Sequence, residues 1–366
     1  MTGPRGHQPE RLLNVWLLDN MDTGMKNFLK GSRGRKCLAW LALCVVAVTA
    51  PACAPLKLDP AAGTNPIIRD KFTADPAPLV VGDTLYLYVG HDEAPREQMF
   101  DMREWLVYST QDMRTWTAHP PIMNVKDFKW AQADAWAAQA IENNGKFYFY
   151  AAVEHDGTHP GKAIGVAVSD KPTGPFVDAR GSALVTNEMT PKGKHNWEDI
   201  DPTVFTDDDG TSWLAWGNAN CYLAKLKPNM IDIDGQIIEI TPPHFEEGPW
   251  LHKRGDLYYL TYASWDRKTQ SSEHVSYATA PSFTGPWTYR GLLTGPAKNS
   301  FTIHPGIVQF KGNWYLFLHN ATLTIGDMKG AIGRRAVTVE HLQYNPDGTM
   351  KPVVQTELGV SVPPAP

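Results

Sequence analysis

The feature that most constrains this chain is a unit that recurs five times along it. Each unit has a polar residue, a short apolar stretch, a turn rich in Gly, Asp or Asn, and then an aromatic-rich stretch. The units begin at Asp75, Asp134, Asp201, Glu247 and His304. Repeats of roughly 45–50 residues that hold several strands are typical of β-propellers. The sequence therefore predicts an all-β fold, a five-bladed β-propeller.

The first residue of each unit is the main candidate for function. Asp75, Glu247 and His304 stand at the same distance before the aromatic-rich stretch of their unit. Equivalent positions of successive propeller blades lie around the central axis. We therefore expect Asp75, Asp201 and Glu247, which are far apart in sequence, to place three carboxylates in one pocket.

Composition limits the other function classes. A chain of 366 residues with 42% hydrophobic content can bury one large core, and its formal net charge of −5 argues against a nucleic-acid partner. Most of the 13 Trp, 13 Tyr and 13 Phe residues should fill the space between blades. An exposed Trp in a cleft would suit stacking against a sugar ring. In the second unit the matching position holds Ala137, with Trp136 beside it, so Trp136 is a candidate for such stacking, while Asp134 could be a capping residue.

Residues 1–54 resemble an export signal. Basic residues between 26 and 36 precede the uncharged apolar run Cys37–Ala50, and small residues follow, as in a secretory signal peptide whose true start is Met25. We expect the mature protein to be secreted or periplasmic. Cys53 is also a candidate site for a lipid anchor, although Ala50 stands where lipoprotein signals usually have Leu.

The remainder divides into three parts by composition. We expect a linker at 55–64, the propeller at 65–354 and a frayed Pro-rich tail at 355–366. Once the signal is removed, only Cys221 lies inside the fold, so no internal disulfide can form and the core must supply the stability. We expect a monomer.

The three carboxylates suit glycoside hydrolysis. Pro follows Asp75 and Asp201 directly and Glu247 one residue later, which restricts the backbone beside each acid. Glycoside hydrolysis requires one protonated carboxyl group for the leaving oxygen and one ionised carboxylate that activates water. A third carboxylate nearby raises the pKa of the acid by like-charge repulsion.

His304 has two readings. It could hydrogen-bond the substrate, or it could ligate a cation, such as calcium, near the axis. One His is a weak metal signal, so no cofactor is required by the sequence. The run Asp207–Gly210 lies between two strand-like stretches and is better explained as a hairpin turn than as a calcium loop.

Taken together, these motifs resemble glycoside hydrolase family 43. The similarity runs from about residue 65 to 354 and rests on five segments, which are 65–76, 86–93, 197–205, 247–250 and 301–306. The resemblance implies a five-bladed propeller that inverts anomeric configuration and acts on plant cell-wall polysaccharides or oligosaccharides. Most members are β-xylosidases, α-L-arabinofuranosidases or arabinanases.

The resemblance also implies a role for each acid. Asp75 corresponds to the general base, Asp201 to the residue that tunes the pKa and orients the acid, and Glu247 to the general acid. Arg335, with Arg334 as the alternative, corresponds to an Arg that faces the sugar. The implied substrate-binding residues are Trp136, His304, Arg335, Asn218 and His91. Some members hold calcium at the axis through the residue that corresponds to His304, and Ile303 departs from a common Asn.

Two other readings stay open at this point. An invertase-like propeller would retain configuration, but its Asn-Asp-Pro-Asn and Glu-Cys motifs are absent from the sequence. A non-catalytic carbohydrate-binding propeller would have lost one of the acids, and all three are present. The sequence does not distinguish arabinofuranose from xylose as substrate, or exo from endo action.

Overall fold

The computed structural model describes residues 56–58, 63–190, 193 and 195–364. This part is built almost entirely of β-strands, with short 3-10 helices at Val125–Asp127, Asn187–Met189 and Gly359–Ser361. It contains no helix long and apolar enough to cross a membrane. The predictions of a signal peptide and of a lipid anchor at Cys53 lie outside the described residues.

The strands of the first two blades follow one another along the chain. Blade 1 contains β1 (Leu56–Leu58), β2 (Thr73–Val81), β3 (Thr84–His91), β4 (Glu104–Thr110), β5 (Trp116–Ala118) and β6 (Met123–Asn124). Blade 2 contains β7 (Ala131–Ala133), β8 (Ala138–Asn143), β9 (Lys146–His155), β10 (Lys162–Ser169), β11 (Val177–Asp178) and β12 (Val185–Thr186).

The last three blades are simpler antiparallel sheets. Blade 3 contains β13 (Thr203–Thr206), β14 (Ser212–Trp216), β15 (Tyr222–Leu226) and β16 (Ile233–Glu239). Blade 4 contains β17 (Phe245–Arg254), β18 (Leu257–Ser264), β19 (His274–Ala280) and β20 (Thr288–Thr294). Blade 5 contains β21 (Gly306–Phe310), β22 (Asn313–Asn320) and β25 (Ala336–Leu342), beside a hairpin of β23 (Thr324–Ile325) and β24 (Met328–Lys329). The prediction of an all-β, five-bladed β-propeller is confirmed.

Aromatic side chains fill the space between blades, as expected from their abundance. Trp105 of blade 1 packs against Phe149 of blade 2 with ring centroids 5.4 Å apart, and Trp116 packs against Phe317 of blade 5 at 6.3 Å. All four side chains are fully buried. Each aromatic-rich stretch of the repeat therefore serves the core, which leaves the residues at the start of each unit for the central pocket.

The ring closes through the N-terminal part of the propeller. Ile67 N–H donates to Val337 O (3.0 Å), and Thr73 N–H donates to Arg335 O (2.9 Å). Residues 65–73 therefore run along the free edge of β25 in blade 5, immediately before the chain enters blade 1. This pairing satisfies an edge strand that would otherwise be open, and it brings Arg335 beside the start of blade 1.

Both segments predicted as flexible flanks contribute to the fold. The range 55–64, predicted as a linker, contains β1, which pairs with β5 in register Leu56 to Ala118. The tail after residue 354 is docked rather than frayed, because Thr356 N–H donates to the buried Glu340 Oε1 (2.6 Å) and Val360 is buried in a hydrophobic cluster. The Pro-rich composition of these segments indicated flexibility. It does not reveal that β1 pairs with the open edge of β5, or that the buried carboxylate of Glu340 accepts hydrogen bonds from the tail.

Candidate active site

Three of the five residues that open the repeats share an unusual backbone conformation. Asp75 lies in β2 with φ 54°, Asp201 lies just before β13 with φ 58°, and Asp134 lies between β7 and β8 with φ 66°. Residues other than Gly rarely adopt positive φ, and such positions cluster at functional sites. The structure thus identifies Asp134 as the backbone equivalent of Asp75 and Asp201, although its carboxylate pairs with Lys162.

One narrow pocket gathers most of the predicted site. Its volume is about 40 Å³, far below the 300–1,000 Å³ of sites that enclose larger ligands, so it suits a single small group. The pocket contains the three predicted acids together with Trp136, His304 and Arg335. The other residues that line it are Phe100, Met102, Ala137 and Ile200.

Asp75 is surrounded by positive or donating groups. Arg335 Nη1 donates to Asp75 Oδ1 at 3.1 Å, and His319 Nδ1 lies 3.3 Å from the same oxygen. Burial alone would raise the pKa of Asp75, but the charge of Arg335 outweighs burial and lowers this pKa well below its usual range. Asp75 is therefore ionised at neutral pH.

Arg335 is itself fixed by a second carboxylate. Its Nε donates to Asp92 Oδ2 at 2.9 Å and its Nη2 donates to Asp92 Oδ1 at 3.0 Å, which is a bidentate pair. Its guanidinium also lies 4.5 Å above the ring of Phe100. Burial alone would lower the pKa of Arg335, but the charges of Asp75 and Asp92 outweigh burial and raise this pKa above its usual value. Arg335 is therefore a permanent cation beside Asp75.

Glu247 stands in the opposite electrostatic environment. Its Oε2 accepts a hydrogen bond from Asn218 Nδ2 at 2.8 Å, and no cation pairs with it among the described residues. Burial, with the negative charges of Glu246 and Asp75, raises the pKa of Glu247 to about 7, although Asn218 opposes this shift. A large share of Glu247 is therefore protonated at neutral pH.

Asp201 is joined to the backbone beside Glu247. Gly248 N–H donates to Asp201 Oδ2 at 2.9 Å. Burial, Glu247 and Asp75 raise the pKa of Asp201. Since the repulsion between Asp201 and Glu247 is mutual, these shifts agree with the predicted role of Asp201 in raising the pKa of the acid. The visible contact of Asp201 is with the peptide that carries Glu247, which suits an orienting role.

His304 lies between two of the acids. Its Nδ1 is 4.0 Å from Asp75 Oδ1 and 3.8 Å from Asp201 Oδ2. Burial lowers the pKa of His304 to about 4, so the imidazole is neutral at pH 7. No group of three or more His, Cys, Asp or Glu side chains in the described part of the chain is arranged to hold a metal ion. Calcium at His304 gains no support from this geometry and stays a prediction.

Two predicted substrate contacts lie outside the pocket lining. His91 Nδ1 pairs with Glu104 Oε1 at 3.0 Å. From the segment 86–93 it is the neighbouring residue, Asp92, whose side chain reaches the site and binds Arg335. Asn218 holds Glu247 instead of lining the pocket. Of the two Arg candidates, Arg334 donates to the carbonyl oxygens of Lys329 and Ala94, and only Arg335 reaches the acids.

Sequence reasoning missed several contributors. Asp92 lies in the segment 86–93 and could have been noticed as a second carboxylate for an Arg, and His319 lies near the end of the aromatic strand β22. Another buried carboxyl group, that of Glu273, accepts from Ile303 N–H at 2.9 Å and so holds the backbone just before His304. Phe100 and Met102 come from the loop between β3 and β4, where no repeat pattern marks them.

Comparison with known proteins agrees with this geometry. The model of the glycosyl hydrolases family 43 matches residues 63–350. A xylosidase/arabinosidase from Humicola insolens is 30% identical over 342 residues, covering 77% of this chain and 97% of the relative. A β-D-galactofuranosidase from Aspergillus niger is 31% identical over 314 residues, covering 81% and 86%.

A solved structure is similar over the same range. It is a family 43 β-xylosidase/α-arabinofuranosidase from a compost microbial metagenome in complex with xylotriose. It has 28% sequence identity and a TM-score of 0.69, and the match covers 82% of this chain and 98% of the other.

Proposed function

The chain belongs to glycosyl hydrolase family 43, and we propose that it removes single xylosyl or arabinofuranosyl groups from hemicellulose with inversion of anomeric configuration. Family membership makes the protein a glycosidase of the hemicellulose-degrading kind. The names of several relatives, xylosidase/arabinosidase and arabinoxylan arabinofuranohydrolase, support the choice of sugars.

The observation that carries this proposal is the opposite charge state of two carboxyls in one pocket. Asp75 is kept ionised by Arg335, while burial raises the pKa of Glu247 to about 7, so that a large share of this carboxyl group is protonated at neutral pH. Pairs of titratable groups whose pKa values are pushed apart indicate the base and the acid of a reaction. These two residues can therefore divide the proton transfers of glycoside hydrolysis between them.

In the proposed reaction the glycosidic bond breaks as two protons move. The Glu247 carboxyl donates its proton to the leaving oxygen, and the Asp75 carboxylate takes a proton from water, which attacks the anomeric carbon from the opposite face. Asp201, bonded to Gly248 N–H, orients the segment that carries Glu247. Arg335 and His319 hold Asp75 in place.

The test is the stereochemistry of the first product. Hydrolysis of xylo-oligosaccharides, arabinan and arabinoxylan would be followed by product analysis, and proton NMR would record the anomer formed before mutarotation. Inversion is expected, because water and leaving group occupy opposite faces. Retention would mean that a carboxylate attacks the sugar directly, and it would reassign Asp75 from base to nucleophile.

We also propose that the protein is exported. The basic segment before the apolar run Cys37–Ala50 supports this localisation. Expressed in a bacterial host, the mature protein should begin close to Cys53 or Lys57 and should be recovered outside the cytoplasm. N-terminal sequencing that finds Met1 or Met25 on the recovered protein would contradict export.

A further inference from the structure

Trp197 is an exposed aromatic residue outside the pocket that the mechanism does not use. Its side chain is 51% exposed, which is uncommon for a residue of this size in a fold that buries most of its aromatics. The imidazole of His195 stacks against it with ring centroids 4.1 Å apart and an angle of 20° between the planes. The indole is thus supported by one stacked ring and still leaves half of its surface to solvent.

The chain around Trp197 is anchored by a buried carboxylate. Asp199 accepts hydrogen bonds from Trp216 Nε1 (2.8 Å), Thr190 Oγ1 (2.8 Å) and Asn187 Nδ2 (3.2 Å). Asp199 is fully buried. These bonds tie residues on both sides of Trp197 to blade 3, so the exposed indole is held in place before any ligand arrives, which reduces the entropy lost on binding.

The two residues beside Trp197 in the sequence connect it to the pocket wall and to the segment that holds the proposed acid. On one side, Asn196 O accepts from Lys162 N–H at 2.7 Å, and Lys162 Nζ lies 3.8 Å above the ring of Trp136, which lines the pocket. On the other side, Glu198 O accepts from Asn218 N–H at 2.9 Å, and Asn218 holds Glu247. The residues on either side of Trp197 are thus joined by hydrogen bonds to Lys162, which lies over Trp136 of the pocket lining, and to Asn218, which holds Glu247.

We propose that Trp197 is the platform for the leaving-group sugar, and that this sugar is a pyranose of a xylan-type chain. The inference rests on the proposed function and narrows its substrate class. The leaving group emerges on the side of the proton donor Glu247, to which the chain beside Trp197 is connected through Asn218. A xylopyranose ring is flat, and its C–H faces are apolar because its hydroxyls are equatorial. A flat indole matches such a face better than it matches a puckered furanose of arabinan.

The test compares xylosyl substrates that differ in the leaving group. Trp197→Ala should lower kcat/KM for xylotriose about tenfold, because a stacked ring contributes on this scale. It should leave hydrolysis of xylosyl fluoride unchanged, since fluoride offers no ring to stack. Trp197→Phe should restore most of the activity on xylotriose. Tyr289→Ala, at another exposed aromatic on the outer strand β20, should change neither rate.

The outcomes separate the subsite from the reaction itself. If wild-type protein hydrolyses neither xylosides nor arabinofuranosides, the proposed function fails and this inference fails with it. If wild-type protein is active but Trp197→Ala retains full activity on xylotriose, or loses equally on the fluoride, only the subsite is wrong. A larger loss on arabinotriose than on xylotriose would overturn the choice of a pyranose.

Discussion

The carboxyl groups on two walls of the same pocket lie in opposite electrostatic environments. On the wall formed by blades 1 and 5, Asp75 contacts Arg335 and His319, and Asp92 grips the same Arg335. On the wall formed by blades 3 and 4, Asp201 and Glu247 are bonded to a backbone N–H and to the Asn218 amide, both of them neutral donors. The first wall lowers the pKa of its carboxyl, and the second raises it.

This difference indicates that the closure of the propeller between blades 5 and 1 determines which of the two carboxyl groups acts as the base. Asp75 and Glu247 carry the same sequence signal, an acid with Pro close behind. Arg335 directly precedes β25, and its carbonyl oxygen accepts a hydrogen bond from Thr73 N–H where the two ends of the propeller meet. Closure therefore places a cation in direct contact with Asp75, whereas no Lys or Arg of the described residues forms an ion pair with Glu247.

Among changes to the neighbours of the two acids, the largest effect should follow from removing that cation. Arg335→Met keeps an unbranched apolar side chain, shorter than that of Arg, but leaves Asp75 and Asp92 buried without their counter-charge. We expect kcat/KM to fall roughly 10²–10³-fold and the free energy of unfolding to fall by about 3–5 kcal/mol. Hydrolysis assays and urea unfolding would measure the two losses.

Arg334→Met is the matched control for this change. Arg334 is also buried, but its hydrogen bonds go to carbonyl oxygens of Lys329 and Ala94. It should cost about 1–3 kcal/mol of stability and leave the pH dependence of hydrolysis unchanged. Equal effects of the two variants on the pH profile would mean that Asp75 does not depend on Arg335.

The pH profile of the wild-type protein should be displaced on both sides. On the alkaline side kcat/KM should fall above about pH 7, about tenfold per unit, as Glu247 loses the proton it must donate. On the acid side activity should persist below about pH 4, the ordinary pKa of Asp, because the lowered pKa of Asp75 keeps it ionised. An acid limb above pH 4, or an alkaline limb near pH 4.5, would contradict these environments.

The smallest effects come from two neighbours of Glu247 that act in opposite directions. The charge of Glu246 raises the pKa of Glu247, and the Asn218 hydrogen bond lowers it. Glu246→Gln should therefore move the alkaline limb to lower pH, and Asn218→Ala should move it to higher pH, each by less than about one unit. Shifts in the same direction would show that these contacts do not control the acid.

Much of this comparison was within reach of the sequence. The repeat predicted the propeller and brought Asp75, Asp201 and Glu247 to equivalent positions, because periodicity reports on geometry around an axis. The charge states were not accessible. They depend on Asp92 and His319, which reach the site through strand ends that carry no repeat signal, and on burial, which spacing does not reveal. The docking of β1 and of the tail was missed for the same reason, since both depend on partners distant in sequence.

The division of labour between the two walls is tested most directly by crossing two variants with two leaving groups. The substrates would be xylobiose, or the corresponding arabinofuranoside, and a dinitrophenyl glycoside that leaves without protonation. Glu247→Ala should lose 10³-fold or more on the natural glycoside and less than about tenfold on the dinitrophenyl glycoside. Asp75→Ala should lose about 10³-fold or more on both, because water must be activated in either case. Equal losses of Glu247→Ala on the two substrates, or an Asp75→Ala variant that spares one of them, would contradict the assignment of acid and base.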